Sequence, residues 1–161
     1  MDYRMTIHEI DPQPIVSIRE RHPMSEIPAF MGRTFGVLFT RLGQQGIPPA
    51  GPPFVIYHEF GPETVDAEVC VPVGTVIAAT ADMVSRELPA ATVVRTLHVG
   101  PYEELGAAYE ALNDWIALHG TEASGPPRER YLNGPGEGAA PADYRTELEM
   151  PVIAERIALP A

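Results

Sequence analysis

The sequence predicts an α+β fold, a duplicated strand-helix-strand-strand module with pseudo-twofold symmetry, in which antiparallel sheet carries two main helices and a central cleft. Three observations predict it. The chain repeats itself: Gly46, Gly51, Pro52, Pro53 and Tyr57 return 74 positions later as Gly120, Gly125, Pro126, Pro127 and Tyr131, and Leu38 returns as Leu112. Glu68, Pro72 and Val73 return 79 positions later as Glu147, Pro151 and Val152. The extra five residues fall in the Gly/Ala/Pro-rich segment Asn133–Ala142, where an insertion costs little. The second observation is a pair of segments with three-and-four spacing of apolar residues, the period of a helix. The third is the set of short extended runs between them, bounded by Gly and Pro. The 161 residues then form one domain, with repeats over about residues 3–75 and 76–158.

Each element follows in order. Arg4–Ile10 and Pro14–Arg19 are extended runs broken by Asp11-Pro12-Gln13, a turn signal. From Ser25 to about Leu42 a helix is expected: Ile27, Phe30, Met31, Thr34, Val37, Leu38 and Arg41 recur at helical spacing. Ser25 is the expected N-cap, Pro28 fits the first turn, and Gly43 and Gly46 stop the helix. Phe54–Glu59 and Asp66–Val71 read as strands, followed by Ile77–Glu87 and Thr92–Val99 with Pro89 at the turn. Gly100-Pro101-Tyr102-Glu103-Glu104 opens a second helix with acids in its first turn. Leu105, Tyr109, Leu112 and Ile116 form its apolar stripe and His119-Gly120 ends it. Arg128–Leu132, Arg145–Met150 and Ile153–Leu159 complete the strands, the last as an exposed edge on which a homodimer could pair.

Composition narrows the function. A formal net charge of −11 argues against direct nucleic-acid binding, which needs clustered Lys and Arg, and against docking on an anionic membrane. The start Met1-Asp2-Tyr3 has no charged-then-apolar leader and no window is long and apolar enough to span a bilayer, so a cytoplasmic location is expected. The single Cys70 excludes an intramolecular disulfide and reads as a buried thiol in an apolar strand. His8, His22, His58, His98 and His119 have no metal-ligand spacing, and there is no Walker A, G-x-G-x-x-G or G-x-S-x-G sequence; neither metal nor cofactor is expected.

Strand alternation places the candidate chemistry. Val69 and Val71 share one face, while Asp66, Glu68 and Cys70 share the other. Leu148 and Met150 share one face, while Arg145, Glu147 and Glu149 share the other. With the apolar faces against the helices, Glu68 and Glu147 stand at equivalent positions on the opposite faces, which are expected to line a shared cleft. Tyr57, Tyr131, Tyr144, Tyr102, Trp115 and Phe54 are the aromatic candidates for its walls. Carboxylates among rings suit a lipophilic organic cation. The plainer alternatives are a solvated acid on an outer sheet face and a Trp115 buried in the core. Arg128, Arg130 and Arg145 form the one local basic group, and salt bridging is its simplest use.

The residues also resemble a known family. Val99-Gly100-Pro101-Tyr102-Glu103-Glu104-Leu105 is similar to the G-P-Y-x-x-L start of the second helix in GyrI-like domains. Asp66–Val73 and Thr146–Val152 are similar to that family's two x-E-x-x-x-P-V strands, and the similarity runs from about Tyr3 to Ile157. The resemblance implies the effector-binding fold of AraC-type and MerR-type regulators, with hydrophobic, often cationic, small molecules held between the modules. It implies Glu147 as the polar anchor and Tyr57, Tyr131 and Trp115 as walls. Regulators of this kind carry a helix-turn-helix domain first; the first strand is expected within about three residues of the start, so a stand-alone form is expected here, any DNA reader being a separate protein.

Three functions follow. The first is a binding module in which Glu147, with Glu68, Tyr57, Tyr131, Trp115, Tyr102 and Phe54, holds a hydrophobic, cationic small molecule. The second is a hydrolase in which Glu147 activates water against a reactive cyclopropane-type electrophile, as some GyrI-like proteins do. The third is an acidic inhibitor of gyrase.

Overall fold

The computed structural model describes residues 2–133 and 137–157. Among them are eight strands and two main helices: β1 (Thr6–Ile10), β2 (Gln13–Pro23), α1 (Ile27–Gln44), β3 (Phe54–Phe60), β4 (Thr64–Pro72), β5 (Val84–Leu88), β6 (Ala91–Val99), α2 (Leu105–Leu118), β7 (Arg128–Tyr131) and β8 (Arg145–Val152). All the pairings described are antiparallel, and the fold is α+β. No helix among the described residues is long and apolar enough to cross a membrane.

The chain divides into two compact units. A contiguous unit spans Asp11–Ala90, and a split unit joins Met1–Ile10 to Ala91–Ala161. In the contiguous unit the strands run β5-β2-β4-β3 and α1 packs on β2 and β4. In the split unit they run β1-β6-β8-β7 and α2 packs on β6. Each unit thus takes its outermost strand from the other sequence repeat.

The duplication is written into the register. Ile56 opposes Glu68 in one unit, and Arg130 opposes Glu147 in the other. Both helices end in the same cap. Gly46 (φ 68°) and Gly120 (φ 74°) take the left-handed conformation that glycine adopts without strain. The next residue reaches back to the last turn in each case, Ile47 N–H to Leu42 O at 2.9 Å and Thr121 N–H to Ile116 O at 3.3 Å. Gly51 and Gly125 both abut the proline of the following strand: a Cβ on them would lie 3.5 Å from Pro72 Cγ and 3.6 Å from Pro151 Cγ.

Ile27, Phe30, Thr34, Leu38 and Leu42 are the buried stripe of α1, spaced as a helix requires. On the other face of that unit's sheet, Ile15, Phe54, Ile56, Cys70 and Leu88 form a second apolar cluster. In the split unit, Leu105, Ala108, Leu112 and Ile116 of α2 close on Val94, Leu148, Met150 and Val152.

Four elements differ from the sequence expectation. β2 runs on to Pro23 rather than ending at Arg19, because β4 pairs with it as far as Thr64 opposite Pro23. Ser25 lies in a short 3-10 turn, Met24–Glu26, and α1 begins at Ile27 with no side-chain cap, because Pro23 ends the strand immediately before. The strand expected over 77–87 is only β5, since its partner β2 offers it just Gln13–Ser17; residues 77–83 form a connection in which Ser85 Oγ accepts the Ile77 N–H at 2.9 Å. After Val152 the chain turns into a 3-10 turn, Ala154–Arg156, rather than the edge strand expected from 153, and residues 158 and 159 lie outside the described residues.

Candidate functional site

The four residues of β7, Arg-Glu-Arg-Tyr, separate two kinds of chemistry by alternation alone. Arg128 and Arg130 oppose Glu149 and Glu147; Glu129 and Tyr131 oppose Leu148 and Thr146, on the side of the sheet that meets α2.

On the α2 side the residues surround one carboxylate. Tyr109 on α2 donates its hydroxyl to Glu129 Oε2 at 2.6 Å, and Tyr131 donates to Oε1 at 2.9 Å. Glu129 is buried at 7% exposure. Tyr102, in the turn before α2, meets Tyr131 edge-on with centroids 5.9 Å apart. It also stacks on Tyr144 at 4.9 Å with planes 28° apart. Burial first, and then the charges of Tyr144 and Glu129, push the Tyr102 phenol above its ordinary pKa, so it remains a neutral donor. Thr146 lies between Tyr131 and His98 in the register, and its hydroxyl is buried with no hydrogen-bond partner among the described residues. Hydroxyl donors orient a carboxylate, and phenyl faces add attraction for a cation. No group of three His, Cys, Asp or Glu able to hold a metal is found among the described residues.

The opposite face of the same sheet is an ion cluster. Glu149 is fully enclosed and accepts from Arg95 Nε at 2.6 Å, Arg130 at 3.2 Å and Arg128 at 3.3 Å. Glu147 takes Arg130 at 2.7 Å and lies 3.6 Å from Arg95. Burial raises the Glu149 pKa, but the Arg130 charge and the Arg95 hydrogen bond and charge outweigh it, and the carboxyl sits below its usual range.

The sequence candidates divide between the units. Tyr102 and Tyr131 meet in the split unit, and Glu147 lies in that unit on the arginine-lined face. Trp115 stacks on His119 with centroids 3.7 Å apart and packs against the α2 core. Glu68, Tyr57 and Phe54 belong to the contiguous unit. There Glu68 is saturated by Ser17 at 2.6 Å, Arg86 at 2.6 Å and His58 at 2.8 Å. Burial raises its pKa, and the hydrogen bonds from Arg86, Ser17 and His58 bring it below the usual range. Tyr57 reaches Met31 Sδ at 3.8 Å, and Phe54 is core.

Glu129 and Tyr109 are the residues that the sequence reading did not single out. Their repeat counterparts, 74 positions earlier, are Val55 and Phe35. Two apolar positions in one module are therefore a carboxylate and its hydroxyl donor in the other. The signal was present: period-two alternation puts Glu129 beside Tyr131, and Tyr109 was already on the α2 stripe.

Comparison with known proteins places the chain. The sequence profile of the GyrI-like small molecule binding domain matches residues 3–153. The structure of the EcmrR C-terminal domain superposes with a TM-score of 0.78 at 27% identity, covering 95% of this chain and 99% of that one. EcmrR in its complex with DNA gives 0.77 at 27% identity, covering 93% of this chain and 57% of that chain, so the present chain spans a little over half of that regulator. SAV2435, solved bound to tetraphenylphosphonium, shares the fold, with a TM-score of 0.66 at 18% identity over 96% of each chain. No curated protein matches the sequence. The chain belongs to the GyrI-like small molecule binding domain family.

Proposed function

We propose that this domain binds hydrophobic organic cations on the α2 side of the split unit, with Glu129 as the anchor and Tyr102, Tyr109, Tyr131 and Tyr144 as the ring surface. The observation that carries the reading is the buried Glu129 carboxylate held by two tyrosine hydroxyls at 2.6 and 2.9 Å. A cation that displaces or joins those hydroxyls gains a charge-assisted contact in a partly dry site and the faces of neutral phenols. The asymmetry between repeats supports the same reading, since Val55 and Phe35 in the other module have no charge to offer.

Tetraphenylphosphonium, the ligand held by SAV2435, is the natural probe. Calorimetric titration of wild type and Glu129→Gln with tetraphenylphosphonium and with neutral triphenylphosphine oxide separates charge from area. Loss of one charge-assisted contact of about 1.5–3 kcal/mol predicts about 10- to 150-fold weaker binding of the cation. The neutral compound should change little. Equal weakening of both ligands refutes the anchor. Glu147→Gln is the companion variant, because Glu147 was the anchor expected from the sequence. Its carboxylate already holds Arg130 at 2.7 Å, so neutralising it is expected to leave the cation affinity within about twofold.

A further inference from the structure

The turn that carries Tyr102 is fastened from outside the site. Gly100, at φ 139°, gives its N–H to the Tyr144 carbonyl at 2.8 Å. The next carbonyl, of Pro101, lies 3.1 Å from His98 Nε2. A carbonyl only accepts, so Nε2 carries a proton, and in the tautomer with its one proton there Nδ1 is an acceptor. Tyr3 supplies the donor, its hydroxyl 2.8 Å from Nδ1, with the two rings stacked at 6.0 Å. His98 is 1% exposed, so this exchange takes place out of water. The Glu104 carboxylate closes the other side: a Cβ on Gly100 would meet Glu104 Oε2 at 3.2 Å and His98 Nε2 at 3.5 Å. The segment ahead of β1 is pinned a second time, Thr96 Oγ1 donating to the Arg4 carbonyl at 3.0 Å. Tyr3 also packs against the α2 core.

We propose that Tyr3 and His98 are positioning residues of the ligand site. Tyr3 fixes the tautomer of His98, His98 holds Pro101, and Pro101 sets the Tyr102 ring against Tyr144. Residues 2–5 are therefore coupled to ligand occupancy. By linkage the coupling is reciprocal: a ligand stacked on Tyr102 stabilises the docked N-terminal segment, and docking of that segment favours the ligand. The inference rests on the tyrosine-lined site proposed above.

The test uses Tyr3→Phe, which keeps the ring and removes only the donor. Hydrogen exchange is followed at the amides of residues 3–5 and 102–104, with and without tetraphenylphosphonium, beside a calorimetric titration. Wild type should gain protection at residues 3–5 on saturation. Tyr3→Phe should exchange faster at 102–104 without ligand, lose the ligand-induced protection, and bind about three- to tenfold more weakly, the loss of one hydrogen bond's contribution. Wild-type affinity in Tyr3→Phe overturns the positioning role and leaves the site itself standing. Failure of wild type to bind the probe overturns the site, and this role with it. Unchanged exchange at 102–104 in the unliganded variant overturns the latch independently of any ligand.

Discussion

Replacing Glu149 by Gln tests how the split unit holds together. The substitution keeps the volume of a fully enclosed side chain and removes only its charge. Three arginines then lose a carboxylate that stood 2.6 Å from Arg95, 3.2 Å from Arg130 and 3.3 Å from Arg128. Breaking a buried ion pair by removing one partner typically costs about 3–5 kcal/mol, mainly through the charge left behind. Part of that charge keeps a partner, because Glu147 holds Arg130 at 2.7 Å and lies 3.6 Å from Arg95. The lower end, about 3 kcal/mol, is therefore expected, or a fall in Tm of about 6–12 °C for a chain of this length. Chemical unfolding read by Trp115 fluorescence is the direct assay, since Trp115 lies in the same unit. The double variant Glu149→Gln/Arg95→Met should recover about 1 kcal/mol by removing the charge that stood closest to Glu149 and lies 3.6 Å from Glu147. A loss below about 1 kcal/mol in Glu149→Gln, or no recovery in the double variant, would refute the view that uncompensated buried charge dominates here.

Two further outcomes follow from the same structure. Thr146→Val removes a buried hydroxyl that has no hydrogen-bond partner among the described residues, and should stabilise the unliganded protein by about 1 kcal/mol in a urea titration; a loss of that size would show that the hydroxyl is engaged. Glu68 and Glu149 both have depressed pKa values in the folded state, so their stability is present above the unfolded glutamate value of about 4.3 and is lost as pH falls through the lower folded values. Tm measured between pH 3 and 7 should thus drop steeply at the acid end in wild type and less steeply in Glu149→Gln, and parallel curves would remove Glu149 from the account.

The legibility of the sequence was uneven for physical reasons. The helices were readable because their buried stripes, Ile27 to Leu42 and Leu105 to Ile116, repeat at helical spacing whatever lies around them. The duplication was readable because the glycines that end the helices need a left-handed conformation, and such positions resist drift. Ser25 misled because a good capping residue does not cap when a proline-terminated strand delivers the chain as a 3-10 turn. The length of β5 was unreadable because it depends on how much of β2 is free to pair, a fact located some seventy residues away. The site followed the same rule. Tyr102 and Tyr131 were found from their motifs, but the choice among Glu68, Glu129 and Glu147 turns on which arginines and hydroxyls lie across the strands. Arg130 beside Glu147, and Tyr109 beside Glu129, are neighbours only after the strands and α2 are assembled.

The exchange of outer strands also orders the assembly in time. The contiguous unit is complete once residue 90 has been synthesised, whereas β1 pairs with β6, Thr6 opposite Arg95. At about 5–20 residues per second, the first strand waits on the order of 10 s for its partner to emerge. Closing so long a loop costs about 2 kcal/mol more in chain entropy than closing one of ten residues. During that wait β1 is an unpaired strand with its edges open, and the His8 and Glu9 it carries are the kind of residues that discourage pairing with a stranger. The split unit therefore closes last, and the carboxylate on β7 meets its ring of tyrosines only at the end of folding.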